Sequence, residues 1–93
     1  MSGMIDLHLH STCSDGSSTP EQVVTRAAGL GLDVISLTDH DSVSGVLAAQ
    51  RVGQDYGVEV VPGAELSATF EGRDIHILAY FVDPTSESLI QSL

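Results

Sequence analysis

The run Asp6-Leu7-His8-Leu9-His10 constrains the fold more than any other part of the chain. Strand side chains alternate between two faces, so His8 and His10 point one way while Ile5, Leu7 and Leu9 point the other. The aliphatic face is expected to pack under helices. The opposite face brings two imidazoles to one side, where they can converge on a single ion. The segment that follows, residues 11–18, is a small polar loop with one glycine and no apolar periodicity.

The residues after that loop set the order of elements. Thr19-Pro20-Glu21-Gln22 predicts a helix start, with Thr19 as N-cap, Pro20 at the first helical position and Gln22 completing a capping box. Val23, Val24, Ala27, Ala28 and Leu30 carry the helix to a stop at Gly31. Residues 32–38 form a continuous apolar strand of the kind covered on both faces. Ser42 or Ser44 is expected to cap a second helix that buries Val46, Leu47, Ala49 and Val52 and ends at Tyr56-Gly57. Residues 58–61 read as a third strand, terminated by Pro62-Gly63.

A β-α-β-α-β order with short connections is the pattern of parallel strands joined by crossover helices. Beyond Gly63 the pattern changes. Residues 65–70 and 73–82 flank Glu71-Gly72 as an antiparallel hairpin, Asp83-Pro84-Thr85 breaks it, and a last helix begins at Ser86.

Charge narrows the function. Thirteen acidic residues stand against three arginines and no lysine, a net charge of -10. That balance argues against duplex nucleic acid and against an anionic membrane surface, both of which require a basic footprint. Bound divalent cations would offset part of it. No apolar run approaches the ~20 residues of a membrane helix. A single cysteine forms no internal disulfide, and Met1-Ser2-Gly3-Met4 reads as an ordinary or tag-derived start rather than a leader. The compartment expected on these grounds is the cytoplasm. Ninety-three residues amount to at most one small domain.

The candidate ligands gain meaning from their positions. Singly, Asp15 reads as a turn residue, Asp39 and Asp41 as helix-capping acids, Glu65 as a surface charge and Cys13 as a free thiol or soft ligand. His76 lies opposite Ile75 and Ile77, so it faces either solvent or a site. Jointly, His8 and His10 close the first strand, His40 closes the second and Glu65 follows the third. Parallel α/β folds gather their functional groups at these carboxyl ends. Imidazole mixed with carboxylate suits Zn, Mn or Fe, and a carboxylate can bridge two ions.

The motifs His8-Leu9-His10-Ser11-Thr12-Cys13-Ser14-Asp15-Gly16, Thr38-Asp39-His40-Asp41, Gly63-Ala64-Glu65 and the later His76 resemble, in order and spacing, the amino-terminal motifs of the PHP (polymerase and histidinol phosphatase) superfamily. The resemblance implies an α/β fold, the N-terminal portion of a distorted (β/α)7 TIM-like barrel, with residues 1–93 as a fragment of one metal-dependent phosphoesterase domain. It implies two or three divalent ions: His8 and His10 on the first, Glu65 bridging to a second held by His76, and Asp15 with His40 on a third. Asp41 is the candidate for a hydrogen bond to substrate or to a ligand histidine. Asp15-Gly16 and Asp41-Ser42 resemble the stand-alone branch, which hydrolyses nucleoside 3′,5′-bisphosphates and short oligonucleotide ends with a metal-activated water. Such barrels approach the ~250 residues of their eight-stranded relatives. The open sheet edge is therefore expected to be covered by the remainder of the barrel or by self-association. An amide-cleaving variant, a non-catalytic structural or regulatory module and a polymerase-associated domain are the competing readings.

Overall fold

The computed structural model describes residues 4–93; Met1-Ser2-Gly3, read as an ordinary chain start, lies outside the described residues. Seven elements follow in order: β1 (Met4–Leu9), α1 (Pro20–Gly29), β2 (Leu32–Leu37), α2 (Val46–Tyr56), β3 (Glu59–Phe70), β4 (Arg73–Tyr80) and α3 (Glu87–Ser92). The strands form one sheet in the order β1-β2-β3-β4. The β1–β2 and β2–β3 pairs are parallel, and β3–β4 is antiparallel. The sheet curls. Tyr80, at the end of β4, donates its hydroxyl to the Leu7 carbonyl on β1 at 2.7 Å, although two strands separate them in the sheet. This is an α/β fold with the shape of the N-terminal part of a TIM-like barrel.

Helix α1 starts as its sequence dictates. The Thr19 N–H donates to Gln22 Oε1 at 2.9 Å and the Gln22 N–H to Thr19 Oγ1 at 3.1 Å, which satisfies two of the four free donors at a helix start. Its inward face places Val24 and Ala27 in one cluster with Ile35 and Leu37 of β2, Ala49 of α2, Val58 just before β3 and Val60 within it. Each aliphatic side chain fully buried there contributes about 1.5–3 kcal/mol, so this cluster dominates the stability of the parallel half. Among the described residues no helix is long and apolar enough to cross a membrane.

Three local expectations are corrected. First, β1 does not alternate cleanly. Asp6 pairs with Ile35 and Leu9 with Leu37, so one extra residue bulges out of β1 between them. Asp6 and Leu9 consequently line the same groove beside α1, while Ile5 and Leu7 are exposed. Only Leu9 of the presumed aliphatic face packs against the core. Second, neither Ser42 nor Ser44 caps α2. Their hydroxyls bond each other at 2.9 Å, and the N-cap is Gly45 without a side-chain bond. The helix is rotated so that Val46, Ala49 and Gly53 are buried and Leu47 is exposed.

Third, Pro62-Gly63 does not end β3. Pro62 is the last partner of β2, opposite Leu37, and its carbonyl accepts the Phe81 N–H at 2.6 Å. A Cβ on Gly63 would sit 2.6 Å from Ser36 Oγ, so only glycine lets the strand pass so close to β2. The strand thus exchanges a parallel partner for an antiparallel one without a break. At the hairpin, expected at this pair, Glu71 and Gly72 take φ of 51° and 76°, the two positive values of a type I′ turn.

Candidate metal centre

Main-chain hydrogen bonding carries the sheet past the ends of its strands and sets the site. The Thr38 N–H donates to the Leu9 carbonyl at 2.7 Å. The Glu65 N–H donates to the Asp39 carbonyl at 3.0 Å, and the Asp41 N–H to the Glu65 carbonyl at 2.8 Å. His40 is thereby locked beside Glu65 in a parallel bridge. On β4, His76 pairs with Ser67, on the strand face opposite Ile75 and Ile77. The choice left open for His76 is settled: it turns toward the site.

Glu65 is 5% exposed and touches all four histidines. Its Oε1 lies 2.6 Å from His8 Nε2 and 3.2 Å from His10 Nε2. Its Oε2 lies 2.6 Å from His76 Nδ1 and 3.3 Å from His40 Nδ1. The carboxylate is therefore two-poled, one oxygen toward β1 and the other toward β2 and β4. The His76 hydrogen bond is the chief reason its pKa falls to about 2; burial opposes that shift, and the His8 bond and the His40 and His10 charges reinforce it. Asp15 reaches in from the loop, with Oδ1 3.4 Å from His10 Nδ1 and Oδ2 3.1 Å from His40 Nε2.

The ring centroids of His8 and His10 are 5.1 Å apart, those of His10 and His40 4.4 Å, and those of His40 and His76 5.5 Å. Four imidazoles this close would repel one another if all were protonated, whereas neutral rings with converging lone pairs are the usual ligands of divalent metals. Three overlapping groups have ligand atoms within 4.8 Å of one another: His8, His10 and Glu65; His10, Asp15 and His40; His40, Glu65 and His76. Nitrogen and carboxylate oxygen in these sets fit borderline divalent cations, and the overlap gives the site capacity for one or two of them.

The six residues singled out as ligands are all brought together. The neighbouring acids behave differently. Asp41 adopts a positive φ of 48° and its Oδ1 accepts the Ser67 N–H at 2.8 Å, a bond that holds its carboxyl below the ordinary range. Asp39 caps no helix. It is buried and accepts from the Ser11 N–H at 2.6 Å, the Ser11 hydroxyl at 2.6 Å and the Ser14 hydroxyl at 2.8 Å. Sequence reasoning missed this anchor; the pair of serines flanking Thr12-Cys13 was its one available signal. Cys13 is a half-buried free thiol in none of the ligand groups.

A curled, mostly parallel sheet that converges four imidazoles on one carboxylate defines a candidate metal centre on part of a TIM-like barrel. The chain belongs to the PHP domain family, whose model matches residues 6–91. It is 48% identical over 90% of its length to a phosphoribosyl 1,2-cyclic phosphate 1,2-diphosphodiesterase of Eggerthella lenta, covering 33% of that protein. It is 36% identical over 96% of its length to a 3′,5′-nucleoside bisphosphate phosphatase of Chromobacterium violaceum, covering 31% of it. A solved amidohydrolase structure from the same organism superposes with a TM-score of 0.90 at 34% identity, over 97% of this chain and 33% of that one. The chain thus spans about a third of the length of the relatives it matches.

Proposed function

We propose that residues 1–93 form the N-terminal part of one PHP-type domain that hydrolyses phosphate esters. The observation that carries this reading is the two-poled Glu65, which offers one oxygen beside His8 and His10 and the other beside His40 and His76. In this reading His8 and His10 would hold one ion together with Glu65, His76 would hold a second that Glu65 shares, and Asp15 and His40 would hold a third; Mn, Zn or Fe would suit these ligands. When bound, the ions supply a water of lowered pKa and neutralise charge on the phosphoryl oxygens.

The protein's own residues supply positioning. Glu65, ionised at every physiological pH, fixes the separation of the two ligand sets. Asp15, on the exposed loop, faces His10 and His40. Asp41, tethered to the Ser67 N–H on the same rim, is the residue offered for a hydrogen bond to substrate. A net charge of -10 repels a bare phosphate, so substrate binding depends on cations already seated among these ligands. The relatives' names favour nucleotide-type phosphate esters, a nucleoside bisphosphate or a cyclic ribosyl phosphate, and the branch resemblance of the motifs adds the end of a short oligonucleotide. The barrel's remainder or a second copy of the chain covers the open edge of the sheet, and the protein works in the cytoplasm.

The test is phosphate release by the intact protein, stripped of metal and reloaded with Mn, Zn or Fe, from a nucleoside 3′,5′-bisphosphate and from a 5′-phosphorylated oligonucleotide. Metal-dependent release that a chelator abolishes supports the reading. No release from any phosphate ester by a fully loaded protein overturns it, and cleavage of an amide instead selects the amidohydrolase variant.

A further inference from the structure

We infer that Tyr80 is a positioning residue of the metal centre: together with Asp6 it clamps the Leu7–His8 peptide and so holds His8 beside the Glu65 carboxylate. The inference rests on the metal reading above and adds to it the two side chains that place one of the ligands.

The need for a clamp follows from where His8 sits. The register of β1 on β2 passes from the pair Asp6–Ile35 directly to Leu9–Leu37, so the Leu7–His8 peptide lies in the bulge. A bulge disrupts the ladder locally and leaves the backbone there less well fixed. Packing does not take over, because the His8 side chain is 53% exposed against 20% for His10. Yet His8 Nε2 lies 2.6 Å from Glu65 Oε1, closer than the 3.2 Å of the better-buried His10. An exposed ring on a bulged strand keeps such a contact when its own peptide is held.

Side chains hold both polar atoms of that peptide. The His8 N–H donates to Asp6 Oδ1 at 3.1 Å, and the Leu7 carbonyl accepts the Tyr80 hydroxyl at 2.7 Å. The Asp6 bond is local, from two residues away. Tyr80 comes from 73 positions beyond Leu7, and the antiparallel ladder fixes its place. It pairs with Gly63, and the N–H that follows it, of Phe81, donates to the Pro62 carbonyl at 2.6 Å. The same strand carries His76, whose Nδ1 makes the other 2.6 Å contact with Glu65, to Oε2. Strand β4 therefore serves both poles of the carboxylate, one through a ligand ring and the other through the backbone that bears one. Neither clamping bond goes to a ligand atom, so Tyr80 and Asp6 act through His8.

The experiment is a double-mutant cycle on the intact protein, with zinc affinity read by competition against a chromophoric chelator. Tyr80→Phe, which keeps the ring and removes the hydroxyl, should weaken zinc binding about tenfold in the wild-type background. In His8→Ala the same change should leave the affinity of the zinc still bound unaltered. No weakening in the wild-type background overturns the inference. So does an equal loss in His8→Ala, since a purely structural clip would act whether or not His8 is present. Asp6→Ala releases the other end of the peptide and should reproduce the pattern; it carries the test should Tyr80→Phe not fold, and a loss that persists in His8→Ala counts against the clamp in the same way. If the wild type takes up no zinc, the metal reading fails by itself, and hydrogen exchange of the metal-free protein decides the clamp. Loss of one hydrogen bond from the peptide should then speed exchange of the His8 amide about tenfold in Tyr80→Phe, and an unchanged rate overturns the inference.

Discussion

The parallel half of the molecule and the β3–β4 hairpin are both rich in aliphatic residues, yet they bury them very differently. Val24 on α1 and Ile35 on β2 are fully buried, whereas Ile77 on β4 is 49% exposed and Phe81 just beyond it 80% exposed. In the parallel half each strand is followed by the helix that covers it, so sequence-local segments complete their own packing. The hairpin has no such partner. A smaller cluster of Val43, Val46 and Ala64, with Leu66, Val82 and Leu89 against it, covers only its base. The metal centre draws on both halves: His8, His10 and His40 come from the self-covered one, His76 from the exposed one, and Glu65 stands where β3 passes between them. The half that stabilises the chain is therefore not the half that completes the site.

The largest effect expected from this contrast is at the junction. Glu65→Gln keeps the shape of the side chain but removes the charge shared by both ligand sets, and should lower turnover of the intact protein at least a hundredfold, the upper end of what loss of a supporting group alone costs. Steady-state phosphate release measures it. Ile35→Ala should destabilise the chain by about 2–5 kcal/mol in urea denaturation, while Ile77→Ala should change it by less than about 0.5 kcal/mol. Equal losses would mean that the hairpin is covered as well as the core. Gly63→Ala places a methyl 2.6 Å from Ser36 Oγ and should cost about 1–3 kcal/mol by forcing β2 and β3 apart where the sheet changes direction. Thr19→Ala removes one half of the α1 capping box and should cost about 1 kcal/mol in the same measurement, leaving the hairpin's hydrogen-exchange pattern unchanged.

How much of this was legible in the sequence follows from how local each determinant is. The capping box of α1, the Glu71-Gly72 turn and the placement of His10 and His40 just beyond β1 and β2 are set by residues within a few positions of one another and were read correctly, whereas Glu65, expected after the end of a strand, lies inside β3. The strand through Pro62-Gly63 was not read correctly, because its continuation depends on Leu37 and Phe81, 25 residues before and 19 after Pro62. The bulge in β1 arises from register with β2, which alternation within β1 cannot reveal. Asp39 was misread for the same reason: its partners Ser11 and Ser14 lie 28 and 25 positions earlier, and beside the start of α2 an acid looks like a cap. The start of α2 followed that error. Ser42 and Ser44 had good capping chemistry but bonded each other instead.

The central claim, that Glu65 joins two ligand sets, is tested most directly by metal stoichiometry. Intact wild type, His8→Ala, His76→Ala and Glu65→Gln would be loaded with zinc, dialysed and analysed for metal per chain. The account predicts that His8→Ala and His76→Ala each lose about one ion and that Glu65→Gln loses both. Glu65→Gln retaining the wild-type stoichiometry would contradict it.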